Sequence, residues 1–231
     1  MLSTLVQHVD VAVIGAGSAG LPAFRAAHQY SERIALIERG PHGTTCARVG
    51  CMPSKLLIAA AEAAHDLKKA QGFGVHPGKI HIDGEAVMER VRRERDRFVG
   101  FVLDSVDSIE ERHKISGQAC FLEDGLLEIE GMRMHADRVV IASGSSPVIP
   151  DFLPGLGDRL AVNDDVFEWK TLPESVAVFG AGVIGMELGQ ALHRLGVRVR
   201  LFGRSLRTGP ILSLIHISEP TRPLYISYAV F

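Results

Sequence analysis

The chain has 231 residues, 46 % of them hydrophobic and 23 % charged, with a formal net charge of -2; this describes a globular chain able to bury a core and gives no electrostatic reason to expect nucleic acid or anionic membrane as a partner. The short basic run RVRRERDR is interleaved with acids and reads as a solvated helix face. The N-terminus MLSTLVQHVD lacks the basic start and long apolar run of a signal peptide, no apolar stretch approaches the ~20 residues of a membrane span, and only three cysteines are present, so a cytoplasmic, reducing location is expected, where a close cysteine pair is catalytic or metal-binding rather than a structural staple.

The first predicted element is a buried strand from Val11, VAVIGAGSAG, that runs into G-x-G-x-x-G at Gly15, Gly17 and Gly20 and then a helix; a second strand, RIALIERG, ends at Glu38 and Arg39. A tight glycine turn lets a pyrophosphate approach free N–H groups at the positive end of a helix. Glu38, eighteen residues after Gly20, supplies a carboxylate able to accept from both hydroxyls of an adenosine ribose. Next comes TTCARVGCMPSK, Thr44 to Lys55, which holds Cys46 and Cys51. Pro53 favours the first turn of a helix, so the Cys51 sulfur is expected at a positive helix end where a thiolate is stabilised, and the two sulfurs could approach disulfide distance if the backbone is distorted near Gly50. The setting favours a redox disulfide. A metal site would need further ligands that no C-x-x-C or neighbouring histidine pair supplies, inert thiols are the third reading, and no metal site is expected. His42 reads as a surface residue.

Helices are predicted from about 53 to 69 and from about 84 to 111, the second with Val87, Val91, Phe98, Phe101, Val102 and Val106 as core positions. The segments QACFLED, GLLEIEG and MRMHADRVVIASG, separated by Asp124-Gly125 and Gly131, suit a small antiparallel meander, with Cys120 as a small buried hydrophobe. The last of these ends at Ser143 and Gly144, small residues that let backbone pass close to a ligand. Residues 144–158, with three prolines and three glycines, read as a linker. Beyond it VAVFGAGVIG, from Val176, repeats the first glycine turn at seven of ten positions, with Gly180, Gly182 and Gly185 opening a helix and VRVRLFGR as the following strand. Gly203 stands where the second unit's carboxylate would be, followed by Arg204 and Arg207, so this site leans toward a 2′-phosphate, NADP rather than NAD. The expected fold class is α/β: two Rossmann-like βαβ units with parallel sheets and a small antiparallel meander, the second unit truncated. The expected domains are 1–148, 149–211 and a non-native tail, 212–231.

The two glycine turns, Glu38, IASGSSP and GAGVIGMELG, in this order around GTTCARVGCMPSK, resemble the flavin-dependent pyridine nucleotide-disulfide oxidoreductases, the group that contains dihydrolipoamide dehydrogenase-like proteins. The resemblance runs from about Asp10 to Arg204. It implies FAD held by Gly15, Gly17, Gly20, Glu38, Arg39, Thr45, Lys55, Ala119, Ser143 and Gly144, and NAD(P) held by Gly180, Gly182, Gly185 and Arg204. It further implies that Cys51 contacts the flavin, that Cys46 is the interchange thiol attacking a substrate disulfide, and that Lys55 and Glu187 pair beside the flavin ring and nicotinamide; a snorkelling surface lysine and an exposed helix glutamate are the plain alternatives. The implied activity is dihydrolipoyl dehydrogenase-like electron transfer between NAD(P)H, FAD and a small-molecule or protein-bound dithiol or disulfide, in a homodimer. Thr44 and Arg48 depart from the family's more usual glycine and asparagine, and Arg48 could recruit an anionic substrate.

The final segment, Leu212 to Phe231, has neither a helix pattern nor the next buried strand. It resembles the translation of a transposase-type sequencing-library adapter: LSLIHISEPTR and ISYAVF match its fixed parts, and Pro223, Leu224 and Tyr225 occupy its variable index. The natural sequence is therefore expected to stop near Ile211. Family members continue well past that point to a dimerisation domain whose His-Glu pair serves the partner's disulfide, and none of the ten histidines here lies in an H-P-[ST] setting. The chain as written is expected to be inactive; the other reading is a non-catalytic flavin- or nucleotide-binding redox module that ends here.

Overall fold

The continuous apolar runs of the first βαβ segment become the centre of a sheet. In the computed structural model, which describes residues 6–151 and 153–203, VQHVDVAVI forms β1 (Val6–Ile14) and IALIE forms β2 (Ile34–Glu38), joined by helix α1 (Gly20–His28). The strands pair in parallel, from Val11 opposite Ile34 to Ile14 opposite Ile37, which requires a crossover such as α1. All four residues Ile34 to Ile37 are buried because both faces of the sheet are covered. Val13, Leu21, Phe24, Ile34, Leu36 and Val106 pack together in one cluster; Ala12, Ala35, Ile37, Leu127, Ile129 and Met134 pack in another.

The redox segment follows as two helices, α2 (Thr45–Val49) and α3 (Cys51–Lys69). Helix α3 buries Leu57, Ala61 and Ala64, the spacing of an amphipathic stripe. Helix α4 (Gly84–Asp107) ends earlier than expected and is followed by a single 3-10 turn, Glu111–His113. Its Met88, Val91 and Val106 are buried, but Phe98 and Phe101, expected in the core, are 37 % and 56 % exposed. Phe101 lies off the stripe marked by Val91, Arg95 and Val102, and it packs edge-on against Phe98 with ring centres 6.3 Å apart, under the Arg97 guanidinium.

Strands β3 (Lys114–Ser116), β4 (Ala119–Glu123), β5 (Leu126–Ile129) and β6 (Met132–Ile141) complete a six-stranded sheet of order β3-β2-β1-β6-β5-β4. The expected meander is present as β4-β5-β6, antiparallel, and it is continuous with the parallel sheet. Long β6 pairs with β5 through residues 132–135 and with β1 from Val6 opposite Arg133 to Ile14 opposite Ile141. Gly125 and Gly131, with φ of +72° and +84°, turn the chain between these strands. Strand β4 is the sheet's edge, so Cys120 is exposed rather than buried, as is Phe121 beside it.

The described residues divide into two compact units, one drawn from residues up to 50 and from 95 to 154, the other from 51–94 and from 155 to the end of the described residues at 203. In the second, β7 (Ser175–Phe179), α5 (Val183–Arg194) and β8 (Arg198–Phe202) form another parallel βαβ, Ser175 opposite Arg198 through Phe179 opposite Phe202. Its core contains Leu188, Ala191, Leu192, Leu195 and Val197. The fold is thus α/β with two Rossmann-like units. Among the described residues no helix is long and apolar enough to cross a membrane. Arg204, Arg207 and the adapter-like segment 212–231 lie outside the described residues.

Candidate functional site

Each glycine of the first turn answers a different steric demand. Gly15 has φ +103°, and a Cβ there would fall 2.2 Å from the Ala142 carbonyl oxygen; at Gly20 a Cβ would fall 1.7 Å from the Gly15 carbonyl oxygen. Around Gly17 nothing lies within 4 Å of such a Cβ, so this glycine keeps open the space beside the turn that a bound group would take. Helix α1 starts just beyond with no side-chain cap; its Leu21 N–H donates to the Gly17 carbonyl at 3.1 Å and its positive end faces the glycine turn. Glu38, at the end of β2, accepts from the Ala16 N–H at 2.7 Å and from the Gly40 N–H at 2.9 Å. The carboxylate therefore ties the glycine turn to the strand end.

Gly15, Ala16, Gly17, Glu38 and Gly40 line a cleft of about 490 Å³, within the first unit, together with Arg39, Thr44, Thr45, Arg48, Gln118, Ala119, Ser143 and Gly144; that volume and mixed polar wall suit a nucleotide cofactor. Arg39 donates from Nη1 to Oε1 of Gln118 at 3.2 Å. Thr44 caps α2 by accepting from the Ala47 N–H at 3.1 Å, and it does so at φ +57°, a conformation that disfavours a β-branched residue. Cys46, on α2, is half-buried, one residue past the cleft-lining Thr45. Arg48, half-buried on the same helix, lines the cleft and donates to the Pro41 carbonyl at 3.4 Å. His42, read from the sequence as a surface residue, is half-buried, with a buried Nδ1.

In the second unit Cys51 is the first residue of α3 and is exposed. One turn along, Lys55 forms an ion pair with Glu187 of α5, Nζ to Oε1 at 2.6 Å, and the single hydroxyl proton of buried Ser54 has two acceptors in reach, the same Glu187 oxygen at 3.0 Å and the Cys51 carbonyl at 3.1 Å. The structure therefore brings the expected Lys55–Glu187 pair together. The second glycine turn repeats the geometry of the first: Gly180 has φ +124°, a Cβ at Gly185 would fall 2.0 Å from the Gly180 carbonyl oxygen, and Gly182 faces open space.

Residues 9–212 match the family model described as pyridine nucleotide-disulphide oxidoreductase. The chain belongs to this family. It is 34 % identical over 206 residues to a mercuric reductase of Lysinibacillus sphaericus, covering 87 % of this chain and 37 % of that protein. It is 32 % identical over 211 residues to a dihydrolipoyl dehydrogenase of Bacillus subtilis, covering 87 % and 45 %, and 31 % identical over 194 residues to a glutathione reductase of a Nostoc species, covering 82 % and 41 %. Among solved structures, the HOCl-induced flavoprotein disulfide reductase RclA from Escherichia coli shares its fold, with a TM-score of 0.68 at 22 % identity over 86 % of this chain and 43 % of that one. The chain thus spans less than half the length of these relatives. The pyridine nucleotide-disulphide oxidoreductase family uses FAD and NAD(P)H and acts on disulfide or dithiol substrates.

Of the residues this membership concerns, Gly15, Gly17, Glu38, Arg39, Thr45, Ala119, Ser143 and Gly144 all line the first unit's cleft, whereas Gly20 acts from behind it as a packing glycine. Arg204 lies outside the described residues. Sequence reasoning missed Gln118 and Ser54. Gln118 sits in the β3–β4 connection, where only tertiary proximity to Arg39 marks it, and Ser54 is an ordinary helix residue until α5 packs on α3.

Proposed function

We propose that this chain carries the flavin-binding and redox segment of a dihydrolipoyl dehydrogenase-like enzyme that moves electron pairs between NAD(P)H, FAD and a dithiol or disulfide substrate. The observation that carries the reading is that α2, which bears Cys46, lines with Thr45 and Arg48 the same cleft as the glycine turn and Glu38. The open space at Gly17 and the uncapped start of α1 fit a pyrophosphate, and Glu38 with Arg39 and Gln118 fits the ribose and base end. When bound, FAD supplies two-electron transfer between the pyridine nucleotide and the thiol pair. The functional domains proposed are 1–148 for FAD and 149–211 for the pyridine nucleotide.

The Cys46 thiolate attacks one sulfur of the substrate disulfide; that S–S bond breaks, one substrate thiolate leaves and takes a proton, and a mixed disulfide remains. The Cys51 thiolate then attacks Cys46 Sγ, forming the Cys46–Cys51 disulfide and releasing the second substrate thiol. The substrate gains two electrons and two protons, and the protein pair is oxidised by two electrons. Lys55, held by Glu187, whose carboxylate Ser54 also reaches, contributes a cation whose position is fixed by α5. A preference for NADP is supported by Gly203, which leaves no carboxylate against a 2′-phosphate; a cytoplasmic location and a homodimer complete the proposal.

The test is the full-length protein recovered from its gene. Cys46→Ser is expected to abolish NAD(P)H-driven disulfide reduction while flavin remains bound, and a variant that kept disulfide reductase activity would defeat the reading. KM for NADPH below that for NADH would support the nucleotide assignment, and the reverse would remove it.

A further inference from the structure

Two side chains four residues apart, His28 and Glu32, meet the distant His113 at one end of the first unit's sheet, and none of the three lines the nucleotide cleft. His28 closes α1, Glu32 lies in the turn before β2, and His113 ends the 3-10 turn before β3. Glu32 Oε2 is 3.6 Å from His28 Nε2 and 3.8 Å from His113 Nε2, and the three candidate ligand atoms all lie within 4.8 Å of one another. In a tetrahedral zinc site with bonds of ~2.0–2.2 Å, neighbouring donor atoms are ~3.3–3.5 Å apart. The cluster is within a few tenths of an ångström of that spacing along two of its edges.

A second observation points the same way. His113 is 2 % exposed, and its Nδ1 lies 2.9 Å from the Ile34 carbonyl oxygen. A carbonyl only accepts, so the proton is assigned to Nδ1 and Nε2 presents a lone pair. That Nε2 is buried, without a hydrogen-bond partner, and faces Glu32. An imidazole whose far nitrogen donates to a backbone carbonyl is the arrangement that orients histidines on metals. The Phe24 ring packs on both imidazoles, with centres 5.6 Å from His28 and 5.7 Å from His113. The Glu32 side chain is 62 % exposed and that of His28 is 38 % exposed, which leaves an entry from solvent. Arg112 donates from Nη2 to Glu32 Oε2 at 2.7 Å and is the cation an incoming ion must displace.

We propose that His28, Glu32 and His113 form a binding site for a divalent transition ion of the zinc type, water completing the tetrahedron. Two imidazoles and one carboxylate are a borderline donor set suited to zinc. The ion would fasten the end of α1, the turn before β2 and the segment leading into β3.

The test titrates Zn²⁺ into the full 231-residue chain carrying Cys46→Ser, Cys51→Ser and Cys120→Ser, so that thiols do not compete. One saturable site is expected, weakened at least ten-fold by His28→Ala and by Glu32→Gln, with circular dichroism unchanged; Arg112→Gln is expected to tighten it. Because replacing buried His113 endangers folding, that residue is read in place: on adding zinc its ¹⁵N resonance at Nε2 shifts strongly while Nδ1 keeps its proton. No saturable binding, binding indifferent to both His28→Ala and Glu32→Gln, weaker binding by Arg112→Gln, or an unmoved Nε2 resonance would overturn the proposal.

Discussion

A single methyl group separates the duties of the glycines in the first turn. At Gly20 it would strike the Gly15 carbonyl oxygen, which the turn cannot move cheaply, whereas at Gly17 it meets nothing within 4 Å. Gly20→Ala is therefore expected to lower stability by more than about 2 kcal/mol in urea unfolding. Gly17→Ala is expected to leave it within about 0.5 kcal/mol and to weaken FAD binding at least about ten-fold, as read by flavin fluorescence. Equal effects in the two variants would show that the open space at Gly17 serves no ligand. Thr44 is the opposite case, a side chain where a glycine would be more comfortable. Its hydroxyl caps α2, yet φ is +57°; such strain costs ~1–3 kcal/mol, while exchanging a Thr cap for Gly costs only a few tenths. Thr44→Gly should thus raise the urea midpoint, by a gain on the order of 1 kcal/mol.

At the scale of elements, α3 and α5 form the part of the second unit where polar groups are shared. Ser54 and Lys55 of α3 converge on Glu187 of α5. About three turns beyond them, His65 is half-buried on α3. Burial, with the like charges of Arg194 and Lys69 added, holds its imidazole below the ordinary value, against a smaller opposing effect of Asp66. The sign follows from linkage. Below about pH 6.5 the unfolded chain binds a proton that the folded chain binds only at lower pH, so stability falls as pH drops through that window and is level above it. The difference between urea midpoints at about pH 8 and about pH 5.5 should shrink in His65→Gln. An unchanged difference would show that His65 carries none of this pH dependence.

For the whole molecule, the chain covers 37–45 % of the length of the three relatives compared above, and thiol–disulfide exchange needs a base placed beside the sulfurs. Purified as 231 residues with FAD and NADPH, the chain is expected to give no turnover of lipoamide or glutathione disulfide, whereas the full-length gene product turns over; equal rates would show that this chain already contains its base. The cleft itself lies wholly within the first unit. FAD binding to the isolated chain therefore remains expected, and it would show that a chain without turnover is nonetheless folded.

Much of the site was legible in the chain because it depends on local backbone demands. A strand, three glycines at fixed spacing and a helix leave few alternatives for Gly15, Gly17 and Gly20, and Glu38 follows from counting to the next strand end. The meander, too, could be read from its turn residues. Where a side chain ends up once elements pack is a different matter: it depends on sheet order and on which helix lies opposite, and neither is encoded in a residue's near neighbours. That is why Cys120, in an apolar segment, is exposed on an edge strand, why Phe101 left the core, and why Ser54 joined Glu187. The sequence by itself determined two glycine-turn nucleotide units and a cysteine pair at a helix start; only tertiary structure decided that Gln118 and Arg48 share the cleft and that His113 meets the neighbours His28 and Glu32, because those proximities are made by strands and helices distant along the chain.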